Sequence, residues 1–224
     1  MRYILILVGG LLSGCAVQTA PVVTQDPTMA NFTQVVGRVE PVAERICRHE
    51  SQTANCNFEF VIDRRGNQPA NAYQSLTDNG RPVLTVTAAL IDDMDNPDEL
   101  AFVLGHEAGH HILGHLAKQQ ENAAAGAMIF AGLATLTGGS QADVRSAQEL
   151  GAAVGARSYS KEFELEADAL GTIISYYAGY DPMLGAAYFA RLPDPGNRFL
   201  GSHPPNAARV ETVKYTLSQI ESHS

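Results

Sequence analysis

Five consecutive residues, His106-Glu107-Ala108-Gly109-His110, read H-E-x-x-H. On an α-helix two imidazoles four apart lie about 40° apart around the axis and roughly 6 Å along it, so both reach one metal. Zn²⁺ accepts neutral imidazole nitrogen and prefers four ligands, which leaves room for a third protein ligand and a water. Glu107 is placed to take a proton from that water, the layout of a zinc peptidase with a glutamate as general base. The bland alternative is a helix with satisfied core histidines, but a buried face does not normally carry two His and a Glu without a partner for them. A second pair, His111 and His115, has no carboxylate beside its first member and reads as packing groups or as supports behind the ligands.

These residues need a helix to hold them. Asn96-Pro97-Asp98-Glu99 reads as its start, with Asn as N-cap, Pro at the first helical position and Glu reaching back as in a capping box. Leu100, Val103, Leu104, Ala108, Ile112 and Leu116 then form one apolar stripe, which predicts a mostly buried helix of about twenty residues. The third ligand is expected on a second helix. Glu164 and Asp168 are four apart, hence on one face, and Phe163, Leu165, Ala169 and Leu170 mark partial burial. One carboxylate on the metal and another, one turn on, bonded to a metal-bound imidazole would complete the site. The competing reading is a solvated acidic face made of Glu162, Glu164, Glu166 and Asp168.

The N-terminus predicts export. A basic Met1-Arg2 and an apolar run from Tyr3 to Leu12 are too short to span a bilayer and suit a signal-peptide core. Leu12-Ser13-Gly14-Cys15 resembles the bacterial lipobox, which implies residues 1–14 as a lipoprotein signal peptide and acylation of Cys15. An ordinary signal peptide with a small-residue cleavage site is the alternative. Lipid chains on Cys15 would hold the chain at a membrane without a spanning helix. Ala16, rather than Asp, points by resemblance to enterobacterial sorting rules to the outer membrane, facing the periplasm. Residues 15–30 read as a tether and 31–224 as one domain. Cys47 and Cys56, an even pair in an exported chain, suggest a disulfide.

A net charge of −9 with scattered basic residues argues against nucleic acid. A helix is expected around Met29–Arg48, then strand-like stretches at Phe58–Ile62, Ala72–Leu76 and Val83–Thr87, with turns at Arg65-Gly66-Asn67 and Asp78-Asn79-Gly80. Beyond Thr87 the pattern is helical, with Asp181-Pro182 and Pro204-Pro205 opening later helices. The class expected is α+β, a small antiparallel sheet followed by many helices. Residues 122–142 carry no charge and are rich in Gly and Ala, which favours a buried or partly mobile helical hairpin over a membrane span, with a lid near the cleft as a further reading.

Taken together, His106-Glu-Ala-Gly-His-His-Ile-Leu-Gly-His115, then Glu164-Leu-Glu-Ala-Asp168, then Ser202-His203-Pro204-Pro205 with Arg209 resemble the zinc endopeptidases that include the type I CAAX prenyl proteases and bacterial HtpX. The resemblance runs over roughly residues 58–216, includes Asn71-Ala72-Tyr73 and the Val83–Thr87 strand beside the family's cleft, and is strongest to an exported lipoprotein branch. It implies a gluzincin-like domain with one Zn²⁺ on His106, His110 and Glu164. It further implies Glu107 as general base, Asp168 as orienter of a ligand, and His203 and Arg209 near the cleft, serving the oxyanion or the Asp168 network. Polypeptide substrates, and envelope assembly machinery as a partner, are expected. Transmembrane helices and a C-terminal helical-repeat extension, present in several relatives, are not expected, so neither is a prenylated substrate. The readings in competition are an envelope endopeptidase acting on misfolded proteins, a chaperone-like lipoprotein with a latent zinc site, and another H-E-x-x-H hydrolase such as an aminopeptidase or amidase.

Overall fold

The structure is a computed structural model and describes residues 27–158, 160–194, 196 and 204–222. The lipobox, Cys15, most of the tether and His203 lie outside the described residues. Helix α1 (Pro27–Glu50) begins within the stretch read as tether and buries Phe32, Val35, Val39, Val42, Ala43 and Cys47 along one face. Cys56 is disulfide-bonded to Cys47, with Cα atoms 5.7 Å apart, which ties the end of α1 to the loop before the sheet.

The three strands are β1 (Glu59–Asp63), β2 (Ala72–Leu76) and β3 (Pro82–Thr87). The α+β class holds, but the sheet is mixed rather than antiparallel. Its order is β1-β3-β2, with β3 parallel to β1 and antiparallel to β2. The cause lies in the two connections. Asp78-Asn79-Gly80 makes a tight reversal, with Gly80 at φ 74° and Thr77 N–H bonded to the Arg81 carbonyl at 2.9 Å. Residues 64–71 form a longer link, which leaves a strand's width beside β1. The strand with the most buried side chains, including Leu84 and Val86, fills that place with partners on both edges. The more exposed β2 is left at the sheet's edge.

A short helix α2 (Ala88–Asp92) follows, capped by Thr87. Helix α3 (Pro97–Ile112) starts as expected, with the Asn96 side chain accepting from Glu99 N–H at 3.0 Å. Glu99 itself does not close a capping box. It is buried, accepts from Asp95 N–H at 2.9 Å and pairs with both Arg191 terminal nitrogens at 2.6 Å. The expected twenty-residue helix is divided: α3 ends at Ile112, Gly114 turns at φ 67°, and α4 (His115–Leu136) begins. That left-handed φ suits glycine.

Helix α5 (Gln141–Arg157) folds back on α4, opened by a Ser140–Asp143 capping box. The hairpin forms as expected but is not buried. Of its described residues from 122 to 157 only Ala127, Gly151 and Gly155 are buried. No helix among the described residues is long and apolar enough to cross a membrane. Helices α6 (Ser160–Tyr177), α7 (Pro182–Arg191) and α8 (Asn206–Ser222) complete the body, with Asp181 capping α7 through Met183 N–H at 2.8 Å. Helix α3 is the central element, touched by α1, α6, α7 and the sheet.

Candidate metal centre

The crossing of α3 and α6 builds the site, and glycine makes it close. A Cβ placed on Gly171 of α6 would sit 2.9 Å from the His106 backbone nitrogen. One on Gly105 would sit 3.0 Å from the Gly171 carbonyl, and one on Gly109 would sit 3.2 Å from that of Ala167. Two backbones at this separation bring short carboxylate side chains on α6 within reach of imidazoles on α3. His106, His110 and Glu164 each offer an atom, all within 4.8 Å of one another. The His106 and His110 Nε2 atoms are 3.0 Å apart, and Glu164 lies 3.6 Å from the first and 3.4 Å from the second.

His106 is held from behind. Its Nδ1 donates to Asp168 at 2.9 Å, so its Nε2 points forward as a lone pair. Asp168 is fully buried and accepts two bonds from Arg209, Nε at 2.7 Å and Nη2 at 2.6 Å. The Arg209 guanidinium in turn lies 3.7 Å over the Phe189 ring. His110 has a different backing: its Nδ1 is 2.9 Å from His115 Nδ1, and His115 Nε2 is 3.0 Å from Glu166. His111 points away and donates to the Asn55 carbonyl at 2.8 Å, clasping the disulfide loop against the end of α3.

The electrostatics follow from burial. Burial is the largest influence on His106 and pushes it down, but the Asp168 carboxylate, by hydrogen bond and charge, outweighs it and raises the ring overall. Burial drives the Glu107 carboxyl up, against the pull of His106 and His110. His115 is lowered to about 4, chiefly by burial, and His111 is lowered for the same reason. The donor set suits a divalent cation: two imidazole nitrogens and a carboxylate converge, and two lone pairs 3.0 Å apart repel unless a proton or cation lies between them.

A cleft of about 470 Å³ opens over these groups, lined by His106, Glu107, His110 and Glu164 on one side and by residues 70–74 of the sheet edge on the other. Thr87 sets that edge. Its hydroxyl accepts from Asn71 N–H at 3.0 Å and donates to the Pro69 carbonyl at 3.0 Å.

The structure brings His106, Glu107, His110, Glu164, Asp168 and Arg209 close together. His203 lies outside the described residues. Reading α6 as a solvated acidic face misplaces Asp168, which is fully buried, but suits Glu166, whose side chain is half exposed. Sequence reasoning missed Gly105, Gly109 and Gly171, the residues that set the helix separation. The spacing Gly105-x-x-x-Gly109, offset by one from the two histidines, was the available signal.

A peptidase helix of H-E-x-x-H type, a carboxylate from a second helix and an edge strand across a cleft define a metallopeptidase architecture. The sequence matches the pattern of peptidase family M48 over residues 31–217, and the chain belongs to that family. Among curated proteins it is similar to the β-barrel assembly-enhancing protease of Escherichia coli O157:H7, 27% identical over 90% of this chain and 41% of the relative. The same protein from Escherichia coli K12 and from Shigella flexneri is 25% identical over the same shares. The chain therefore spans about two fifths of the length of these relatives.

Proposed function

We propose that the protein is a zinc-dependent endopeptidase of the bacterial cell envelope, lipid-anchored through Cys15 at the outer membrane and facing the periplasm, that hydrolyses misfolded or mis-assembled envelope proteins. The convergence of His106, His110 and Glu164 within 4.8 Å, with Glu107 on the same cleft, carries this reading. The similarity to β-barrel assembly-enhancing proteases supports an envelope role.

In this reading His106 and His110, through Nε2, and Glu164, through a carboxylate oxygen, would hold one zinc ion. Zinc in such a site supplies Lewis acidity: it makes water a better acid and polarises a carbonyl. The residues do the rest. An extended substrate pairs its backbone with the edge of β2 that no described strand covers, which places a scissile peptide over Glu107. Glu107 takes the proton of the attacking water and returns it to the leaving amine. Asp168, pinned by Arg209, fixes the tautomer and direction of His106. His203 is assigned as donor to the developing oxyanion, on the strength of the Ser202–Pro205 resemblance.

Cleavage of unfolded casein and of internally quenched, end-blocked peptides tests the reading. Activity should vanish with a chelator. It should fall on the order of 10²–10⁴-fold in Glu107→Gln, with zinc retained. A Glu107→Gln variant as fast as wild type, or end-blocked peptides left intact, contradicts it. For the anchor, Cys15→Ser should move the protein from the membrane to the soluble fraction; continued membrane retention contradicts lipidation.

A further inference from the structure

We infer that His115 and Glu166 are positioning residues for His110, forming a hydrogen-bonded row behind that ligand. The inference rests on reading His106, His110 and Glu164 as a zinc site. A neutral ring that gives Nε2 to a metal keeps its proton on Nδ1. His110 Nδ1 is 2.9 Å from His115 Nδ1, so His110 donates and His115 accepts with a lone pair. His115 then carries its own proton on Nε2, 3.0 Å from Glu166, a carboxylate that only accepts. Each link fixes the next. Placing the His115 proton on Nδ1 would set two N–H groups against each other and leave Glu166 facing a lone pair.

The row is held rigidly. His115 is 4% exposed and its ring stacks on Phe163, centroids 4.6 Å apart and planes 15° from parallel. The left-handed turn at Gly114 brings the first residue of α4 back to His110, five positions earlier. Phe163, Glu164 and Glu166 all belong to α6, so one helix supplies both the proposed third ligand and the far end of the row. The two histidine ligands are thereby backed unequally, His106 by a carboxylate locked to an arginine and His110 by a buried ring.

The test is Zn²⁺ affinity of the whole protein by competition with a chromogenic chelator, read beside kcat and KM on a quenched peptide. His115→Phe keeps a flat ring against Phe163 but offers no acceptor; His115→Asn restores an oxygen near the position of Nδ1. Zinc affinity should fall roughly 10–100-fold in His115→Phe, with kcat reduced and KM little changed. His115→Asn should recover most of that loss, at the same apo-protein melting temperature. Glu166→Ala, a change at a side chain that is 52% exposed, should weaken zinc several-fold without touching the fold. Wild-type affinity in His115→Phe, or no recovery in His115→Asn, overturns the row. If His115→Phe does not fold, wild-type affinity in Glu166→Ala overturns it alone. A wild-type protein that binds no zinc removes the site reading itself, and the row with it.

Discussion

The crossing of α3 with α6 and that of α4 with α5 use one device and end in opposite structures. In both, glycines face each other and let backbones meet: Gly105, Gly109 and Gly171 in the first, Gly126, Gly151 and Gly155 in the second. Around the first crossing Leu100, Leu104, Ala108 and Ile174 are buried, and so is the polar Asp168–Arg209 pair. Around the second the large apolar side chains face outward, with Met128 71%, Ile129 67%, Leu133 61% and Leu136 87% exposed. Close helix contact alone therefore does not make a rigid site. The candidate metal site is held because its crossing is backed by a core and by paired charges. The hairpin has its seam and little else.

This contrast can be broken from either side. Arg209→Met should have the largest effect, because it takes the charge partner from the buried Asp168 carboxylate and leaves it only the His106 ring; a loss of about 3–5 kcal/mol is expected in denaturant unfolding. A loss below about 1 kcal/mol would show that the body does not depend on that pair. Gly171→Val comes next. Its side chain meets the His106 backbone, so the protein should lose about 3 kcal/mol and bind zinc poorly, as read by unfolding and metal analysis. The matching change in the hairpin, Gly151→Val, collides with the Gly126 carbonyl yet should leave zinc content and the body's melting unchanged, with new protease nicks appearing within 120–157. Equal damage from both glycine variants would erase the contrast. Removal of the disulfide by Cys47→Ser and Cys56→Ser should cost about 2–3 kcal/mol relative to the oxidised wild type, and reducing the wild type should cost the same. Smallest is Leu133→Gln with Leu136→Gln, which should shift stability by no more than about 0.5 kcal/mol because neither side chain is buried. A larger loss would mean the stripe is covered by the protein itself.

The same contrast explains what could be read from the amino acids. The spacing of His106 and His110, and of Glu164 and Asp168, is local: four residues on a helix fix a face, and the face is legible. The caps at Asn96 and Asp181 are legible for the same reason. Helix separation is not local. It depends on Gly171 meeting His106 from 65 positions away, and no single-helix pattern shows that. The order of the strands was hidden in the link at 64–71, whose composition reads as a turn although its length lets β3 insert beside β1. The break at Gly114 was hidden because the apolar stripe continues through it to Leu116. The hairpin's exposure contradicts its composition: an uncharged Gly/Ala-rich run reads as buried, yet over that run α5 covers one side of α4 and Met128, Ile129, Leu133 and Leu136 stay exposed.

The central claim is a single ion held between α3 and α6. Anomalous X-ray scattering at the zinc edge, on crystals of the zinc-loaded protein, tests it most directly. One strong peak is expected, bonded to His106 Nε2, His110 Nε2 and a Glu164 carboxylate oxygen, at roughly 2.0–2.2 Å from each. A peak elsewhere, or one at the histidines with Glu164 beyond bonding distance, would contradict it.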